Sequence, residues 1–210
     1  MMRDVFVRDL GTTHYPEIFH KMRDYSRARD MNSNDEIWIT EHNAVFTLGQ
    51  AANKEHLIAP GSIPVYQSDR GGQVTYHGPG QLTVYFLVDI KRLSISVRQL
   101  VDRIESVMIG CVANYDIEAE RLSGAPGVYV DNKKIGSLGL RVTRGKSYHG
   151  MSLNVDMELE PFSRINPCGL FGMEVTQVAR YKSCDIEDVK LDLLSEISTV
   201  FDFKLNRLDN

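Results

Sequence analysis

Cys168 stands in Asn166-Pro167-Cys168-Gly169-Leu170, a thiol between two backbone punctuators and outside any amphipathic pattern. A structural cysteine usually belongs to an apolar helix or strand face, so this placement marks a candidate nucleophile. The thiolate is the reactive form, and a free thiol is mostly protonated at neutral pH. A cationic or basic neighbour removes that obstacle. Three residues could supply it: Lys134, His77 and His149. Lys134 gains this ability when desolvated, because burial lowers an ammonium pKa. The fourth feature is Arg70 to Gln81, reading R-G-G-Q-V-T-Y-H-G-P-G-Q. Its glycines leave room beside the backbone for a substrate and its N–H groups can hold an oxyanion. The same loop also reads as a plain Gly/Pro turn between two strands. Thiolates attack carbonyls, above all thioesters, so Cys–Lys acyl transfer is coherent, and Cys–His chemistry fits nearly as well. A metal centre from His77, His149 and Cys168 lacks metal-ligand spacing.

The elements that must position these groups follow from periodicity. Residues 5–10 read as a short strand, Pro16 to Arg29 as a helix, and Asp35 to Gly49 as two strands about a turn at His42-Asn43. A loop over 51–63 precedes a short strand near Val65. Leu82 to Ile90 is an apolar, β-branched and aromatic run, a buried strand beside the glycine loop. Ser96 to Tyr115 is the clearest helix, with Ser96 and Gln99 spaced as a capping box and Cys111 on the apolar face. Gly127 to Val155 reads as a three-strand meander, and Ile186 to Phe201 as a last helix, with Cys184 in a polar loop before it. Alternate strand residues share a face, so Lys134 goes with Leu138, Leu140 and Val142, while Lys133 points away. If that face is inward, Lys134 is drawn into low dielectric; an ordinary strand-end lysine snorkels to water instead. Meandering strands with three helices predict an α+β (α/β) fold, and no boundary divides residues 1–210, so a single domain is expected.

Composition narrows the classes. The formal net charge is −4, which argues against bulk nucleic-acid binding. Three widely spaced cysteines make a disulfide framework unexpected. No segment has the length and apolarity of a membrane span, and no signal peptide is visible, so the expectation is a cytoplasmic protein with no membrane partner.

Taken together, five stretches resemble the lipoyl(octanoyl) transferase family. They are W-I-T-E-H-N-A-V-F-T-L-G at 38–49, the loop at 70–81, G-V-Y-V with K-I-G-S-L-G within 127–139, H-G-M-S-L-N-V at 149–155 and N-P-C-G-L at 166–170. They run in family order across roughly residues 35–180. The resemblance implies the catalytic-domain fold shared by lipoate– and biotin–protein ligases, a mixed β-sheet with flanking helices. It implies transfer of an octanoyl group from octanoyl-acyl carrier protein to a lysine of a lipoyl domain, the first step of endogenous protein lipoylation. The acceptors would be the E2 subunits of 2-oxo-acid dehydrogenases and the glycine cleavage H protein, and no cofactor is needed. By motif, Cys168 would carry the acyl thioester and Lys134 would lower its pKa. Arg70, Gly71, Gly72, Gln73, Val74, Thr75, Tyr76 and His77 would form one wall of the acyl site. Ser137, Leu138 and Gly139, with Gly150, Met151 and Ser152, would form the others, oriented by His149. Either Lys134 or His77 would take the proton from the attacking lysine. Two positions depart from the expected pattern: Ser152, where Ala is as readily expected, and Asn43, where Pro is common. An ATP-dependent ligase of the same fold, a cysteine hydrolase releasing octanoate and a catalytically dead binding module are the rival readings.

Overall fold

A computed structural model describes residues 2–166 and 173–208. Its frame is an eight-stranded mixed sheet. The first strand, β1 (Arg3–Thr13), is longer than the six residues anticipated. It runs parallel to β2 (Glu36–His42) on one side and to β11 (Phe203–Arg207) on the other. From β2 the sheet continues, antiparallel throughout, into β6 (Gln81–Leu87), β10 (Lys146–Asn154), β9 (Lys133–Thr143), β8 (Ala125–Val130) and β7 (Glu120–Leu122). A smaller sheet carries β4 (Val65–Gln67), β3 (Val45–Leu48) and β5 (Val74–His77). The chain therefore leaves the large sheet at the His42-Asn43 turn and returns to it across the 78–80 turn. The two strands at each turn belong to different sheets.

Strand parity divides the large sheet into two faces. Ile37 and Ile39, Leu82, Val84 and Phe86, and Met151 and Leu153 all point to one core. Two helices cover it: α2 (Val97–Ala113), which presents Leu100, Ile104, Met108 and Cys111, and α3 (Ile186–Phe201), which presents Val189, Leu193 and Ile197. Each large aliphatic side chain buried there contributes roughly 1.5–3 kcal/mol. The anticipated capping box is present: Ser96 Oγ accepts from the Gln99 amide at 3.2 Å, and Gln99 Oε1 accepts from the Ser96 amide at 2.8 Å. Cys111 is fully buried, as its helical position predicts, and desolvation pushes its thiol pKa up. Cys184 lies in the loop before α3 as expected, half-buried, with Asp156 and Asp185 nearby and one side against the apolar core.

The opposite face carries Trp38, Tyr85, Leu87 and Tyr148, covered by α1 (Tyr15–Ala28) through Tyr15, Ile18, Phe19 and Met22. The small sheet lies over the rest of this face, with its own apolar cluster around Phe46, Leu48, Val74, Tyr76 and Phe162. Among the described residues, no helix is long and apolar enough to cross a membrane.

Candidate active site

The space between the large sheet and the small one is a cleft of about 530 Å³, counting the part open to solvent. Of the expected binding residues, thirteen border it: Arg70, Gly72, Gln73, Val74, Thr75, His77, Ser137, Leu138, Gly139, His149, Gly150, Met151 and Ser152. Leu138 and Met151 send their side chains into the core under α2 and α3, so they meet the cleft with main chain. Tyr76 does not border it: its ring packs against Phe46 and Phe162 on the far side of the small sheet. Gly71 does not border it either. Its amide donates to the Leu140 carbonyl at 3.0 Å and pins the loop to β9. The glycine that matters for this approach is Gly139, where a Cβ would lie 2.8 Å from the Gly71 carbonyl oxygen. Gly71 and Gly139 thus serve close backbone packing, while Gly72 borders the cleft, where a Cβ would meet nothing nearer than Arg70 Nη1 at 3.5 Å.

Arg70 is also more structural than its position suggests. Its guanidinium donates to the Thr47 carbonyl (2.7 Å), to Thr47 Oγ1 (2.9 Å) and to the Gly71 carbonyl (2.9 Å). Those bonds tie the loop to β3, and the cation adds positive potential at the cleft wall.

His77 is buried and its protonation is set by a chain of amides. Its Nδ1 lies 2.7 Å from Gln81 Oε1. Gln81 Nε2 donates to Asn154 Oδ1 at 2.9 Å and to the Tyr76 carbonyl, so Oε1 is the end facing the imidazole. An amide oxygen only accepts, so Nδ1 bears the hydrogen and Nε2 keeps a lone pair. Desolvation, with His42 and Arg70 nearby, pushes the His77 pKa down to about 3. The ring is neutral at physiological pH, and it stacks on Tyr15 with centroids 5.9 Å apart. His42 is held the same way: its Nε2 bonds the Tyr85 hydroxyl at 2.6 Å, and burial lowers its pKa to about 4.

His149 is in the left-handed region (φ 59°) in the middle of β10. That conformation is uncommon outside glycine, and here His149 stacks on the neighbouring Tyr148, with centroids 4.9 Å apart. Its Nε2 donates to Asp69 Oδ1 at 2.7 Å. Burial raises the Asp69 pKa, but hydrogen bonds from His149 and Tyr148 outweigh it and hold the carboxyl below its ordinary value. Burial lowers His149 against the opposing pull of Asp69. The pair is therefore a neutral imidazole on a carboxylate, an orienting contact.

Lys134 is 2% exposed, and Lys133 stands at the surface beside Glu174. The inward placement agrees with expectation, but the face does not. Val128 pairs with Gly136 while Tyr129 pairs with Lys134, so β9 holds one extra residue there. Such a bulge reverses the alternation. Ile135 joins the core, a Cβ on Gly136 would run into Met108 of α2, and Lys134 turns to the opposite face. It therefore shares a face with Ser137 and Gly139, not with Leu138, Leu140 and Val142. Its Nζ donates to the Pro126 carbonyl at 3.1 Å and lies over the Tyr129 ring, 5.1 Å from the centroid. Gly127, at φ 130°, makes the space: a Cβ there would lie 3.0 Å from Lys134 Cε. The Gly127 amide is in turn held by the buried Glu105 of α2 at 2.9 Å. Cys168 lies outside the described residues.

Three cleft residues were not anticipated: Tyr15, Thr83 and Tyr85. Thr83 and Tyr85 alternate with Leu82, Val84 and Phe86, so strand parity could have assigned them to this face. Tyr15 opens α1, and nothing in its local pattern points to the cleft. Among the described residues no group of three His, Cys, Asp or Glu side chains is placed to hold a metal ion.

Among known proteins, the chain matches the lipoyl protein ligase A/B catalytic domain over residues 19–198. It is 49% identical to an octanoyltransferase of Vibrio cholerae over 204 residues, covering 97% of this chain and 94% of that protein. Among solved structures, a lipoate protein ligase from T. acidophilum with bound lipoic acid superposes with a TM-score of 0.74 at 15% identity, over 100% of this chain and 91% of that one. The biotin protein ligase of Aquifex aeolicus reaches 0.53 at 14% identity, over 95% and 69%. The structural matches establish the mixed-sheet fold of the lipoate and biotin ligases, and the sequence matches are far closer than those. The chain belongs to the lipoyl protein ligase A/B catalytic domain family, on its octanoyltransferase branch.

Proposed function

We propose that this protein transfers an octanoyl group from octanoyl-acyl carrier protein to a lysine of a lipoyl domain, through a thioester on Cys168. Octanoyl transfer is the activity named for the relative from Vibrio cholerae. The single observation that carries the mechanism is Lys134, a lysine 2% exposed and brought by a bulge onto the face of the sheet that floors the cleft. A buried ammonium is costly and is retained where it has a task. In this reading Lys134 stabilises the Cys168 thiolate. The thiolate attacks the octanoyl thioester carbonyl, the bond to the carrier sulfur breaks, and the carrier leaves as its thiol after taking one proton from the Lys134 ammonium. The amine of the lipoyl-domain lysine then attacks the new thioester. Its proton passes to the Lys134 amine, which restores the ammonium, and Cys168 leaves as the thiolate, while neutral His77, its Nε2 lone pair fixed by the Gln81–Asn154 amides, accepts a hydrogen bond from the attacking amine. Backbone N–H groups bordering the cleft hold the oxyanion in both steps. The acceptors are E2 lipoyl domains and the glycine cleavage H protein, and the reaction runs in the cytoplasm without a cofactor.

The test is incubation with octanoyl-carrier protein and a recombinant lipoyl domain, with and without ATP. Octanoylation of the acceptor lysine at an ATP-independent rate is the expected result. A strict ATP requirement would make the protein a ligase, and release of free octanoate without acceptor modification would make it a hydrolase.

A further inference from the structure

The floor of the cleft contains a row of hydroxyl side chains. Thr40 of β2 pairs with Thr83 of β6, Thr83 with Ser152 of β10, and Ser152 with Ser137 of β9. Cross-strand partners share a face, so four adjacent strands place four hydroxyls in one line. Thr40 is already engaged, donating to the Gly11 carbonyl at 2.7 Å. The other three border the cleft. Thr83 is 2% exposed, and its Oγ1 has no hydrogen-bond partner among the described residues.

A buried hydroxyl without a partner weakens the fold. Valine has the same shape, forms strands at least as well and carries no such cost. Thr83 is therefore not explained by folding. Neither does a plain hydrocarbon chain explain it, since alkyl carbons cannot satisfy a hydroxyl. The rows on either side differ in kind: Gln81 and Asn154, bonded to each other, lie on one side, and Gly139 and Gly150 on the other. Successive rows on one strand face are two residues, about 6.8 Å, apart. The hydroxyls thus stand in mid-cleft, between the amide pair beside His77 and the glycine pair beside Tyr85.

We infer that Thr83, Ser152 and Ser137 form a polar subsite for an oxygen borne on the acyl chain, so that the cleft accepts hydroxylated medium-chain acyl thioesters as well as the unsubstituted one. This rests on the cleft being the acyl site. The test uses octanoyl thioesters carrying one hydroxyl at the third, fourth, fifth or sixth carbon, compared with unsubstituted octanoyl thioester, on wild type, Thr83→Val and Ser152→Ala. At least one isomer is turned over by wild type within tenfold of octanoyl. Thr83→Val lowers that isomer's kcat/KM at least tenfold more than octanoyl's, while its melting temperature stays level or rises. If every isomer is more than tenfold slower than octanoyl on wild type, or if Thr83→Val moves both substrates alike, the subsite is wrong. Failure of wild type to transfer octanoyl itself would instead sink the functional reading. The subsite is then judged by calorimetric binding of the hydroxyoctanoates against octanoate: selective loss in Thr83→Val sustains it, and equal binding in both proteins refutes it.

Discussion

Acidification should destabilise this protein well above the pH at which carboxylates titrate, and the reason lies under the small sheet. His42 is fully buried and His77 nearly so, with pKa values lowered to about 4 and about 3 by desolvation. In the unfolded chain each titrates near its ordinary value of 6.5. A histidine whose folded pKa is depressed binds its proton more readily when unfolded. Stability is therefore complete above pH 6.5 and falls as pH drops toward the folded pKa. Between pH 6.5 and pH 5 the difference spans 1.5 pH units at about 1.4 kcal/mol per unit, or about 2 kcal/mol for each ring. The two together approach 4 kcal/mol, and His149, lowered by burial, adds in the same direction. A domain of ordinary stability, roughly 5–15 kcal/mol, loses a large fraction of it. Urea unfolding at pH 7.5, 6.5, 5.5 and 5.0 measures this directly, and His42→Asn should remove about half of the slope. A free energy of unfolding that stays flat from pH 7.5 to 5, or an unchanged slope in His42→Asn, would refute the assignment of these rings as buried and neutral.

Three further outcomes follow from the site. Lys134→Met should slow acyl-enzyme formation at least a hundredfold while leaving urea stability level or higher, because an apolar chain of similar length replaces a buried charge; comparable single-turnover rates would contradict its role. Gly127→Ala should cost both activity and stability, since its φ of 130° disfavours a side chain and the new Cβ meets Lys134 Cε; an unperturbed single-turnover rate would show that Lys134 needs no such room. Gln81→Leu should leave acylation within about threefold but slow transfer to the lipoyl-domain lysine at least tenfold, because the His77 tautomer is no longer fixed; equal loss in both half-reactions would argue for a packing role instead.

Much of this architecture is legible in the sequence because its signals are long. The Ser96–Gln99 cap, the helical spacing from Val97 onward and the run of Leu82 to Ile90 each extend over several turns or residues, and the structure follows them, with the strand of the last ending at Leu87. What escaped was short or depended on register. β11 has only Phe203 and Leu205 to mark it, and β7 is three residues long. The face of Lys134 could not be read by counting, because a single extra residue in β9 inverts the alternation, and the bulge is set by pairing with β8 rather than by local composition. The same holds for the hydroxyl row: Thr40, Thr83, Ser137 and Ser152 are scattered over more than a hundred positions and align only through the strand pairing. The loop at 70–81 was identified from composition, yet the uses of its parts were not. Gly71 and Arg70 fasten it to β9 and β3, and Tyr76 faces away from the cleft.

Intact-mass spectrometry of the protein after mixing with octanoyl-carrier protein, without acceptor, tests the covalent scheme most directly. Wild type should gain the mass of one octanoyl group in exchange for a hydrogen. The adduct should disappear on adding a lipoyl domain and be absent from Cys168→Ala. An unmodified wild type that still octanoylates the acceptor, or an adduct that persists in Cys168→Ala, would contradict transfer through Cys168.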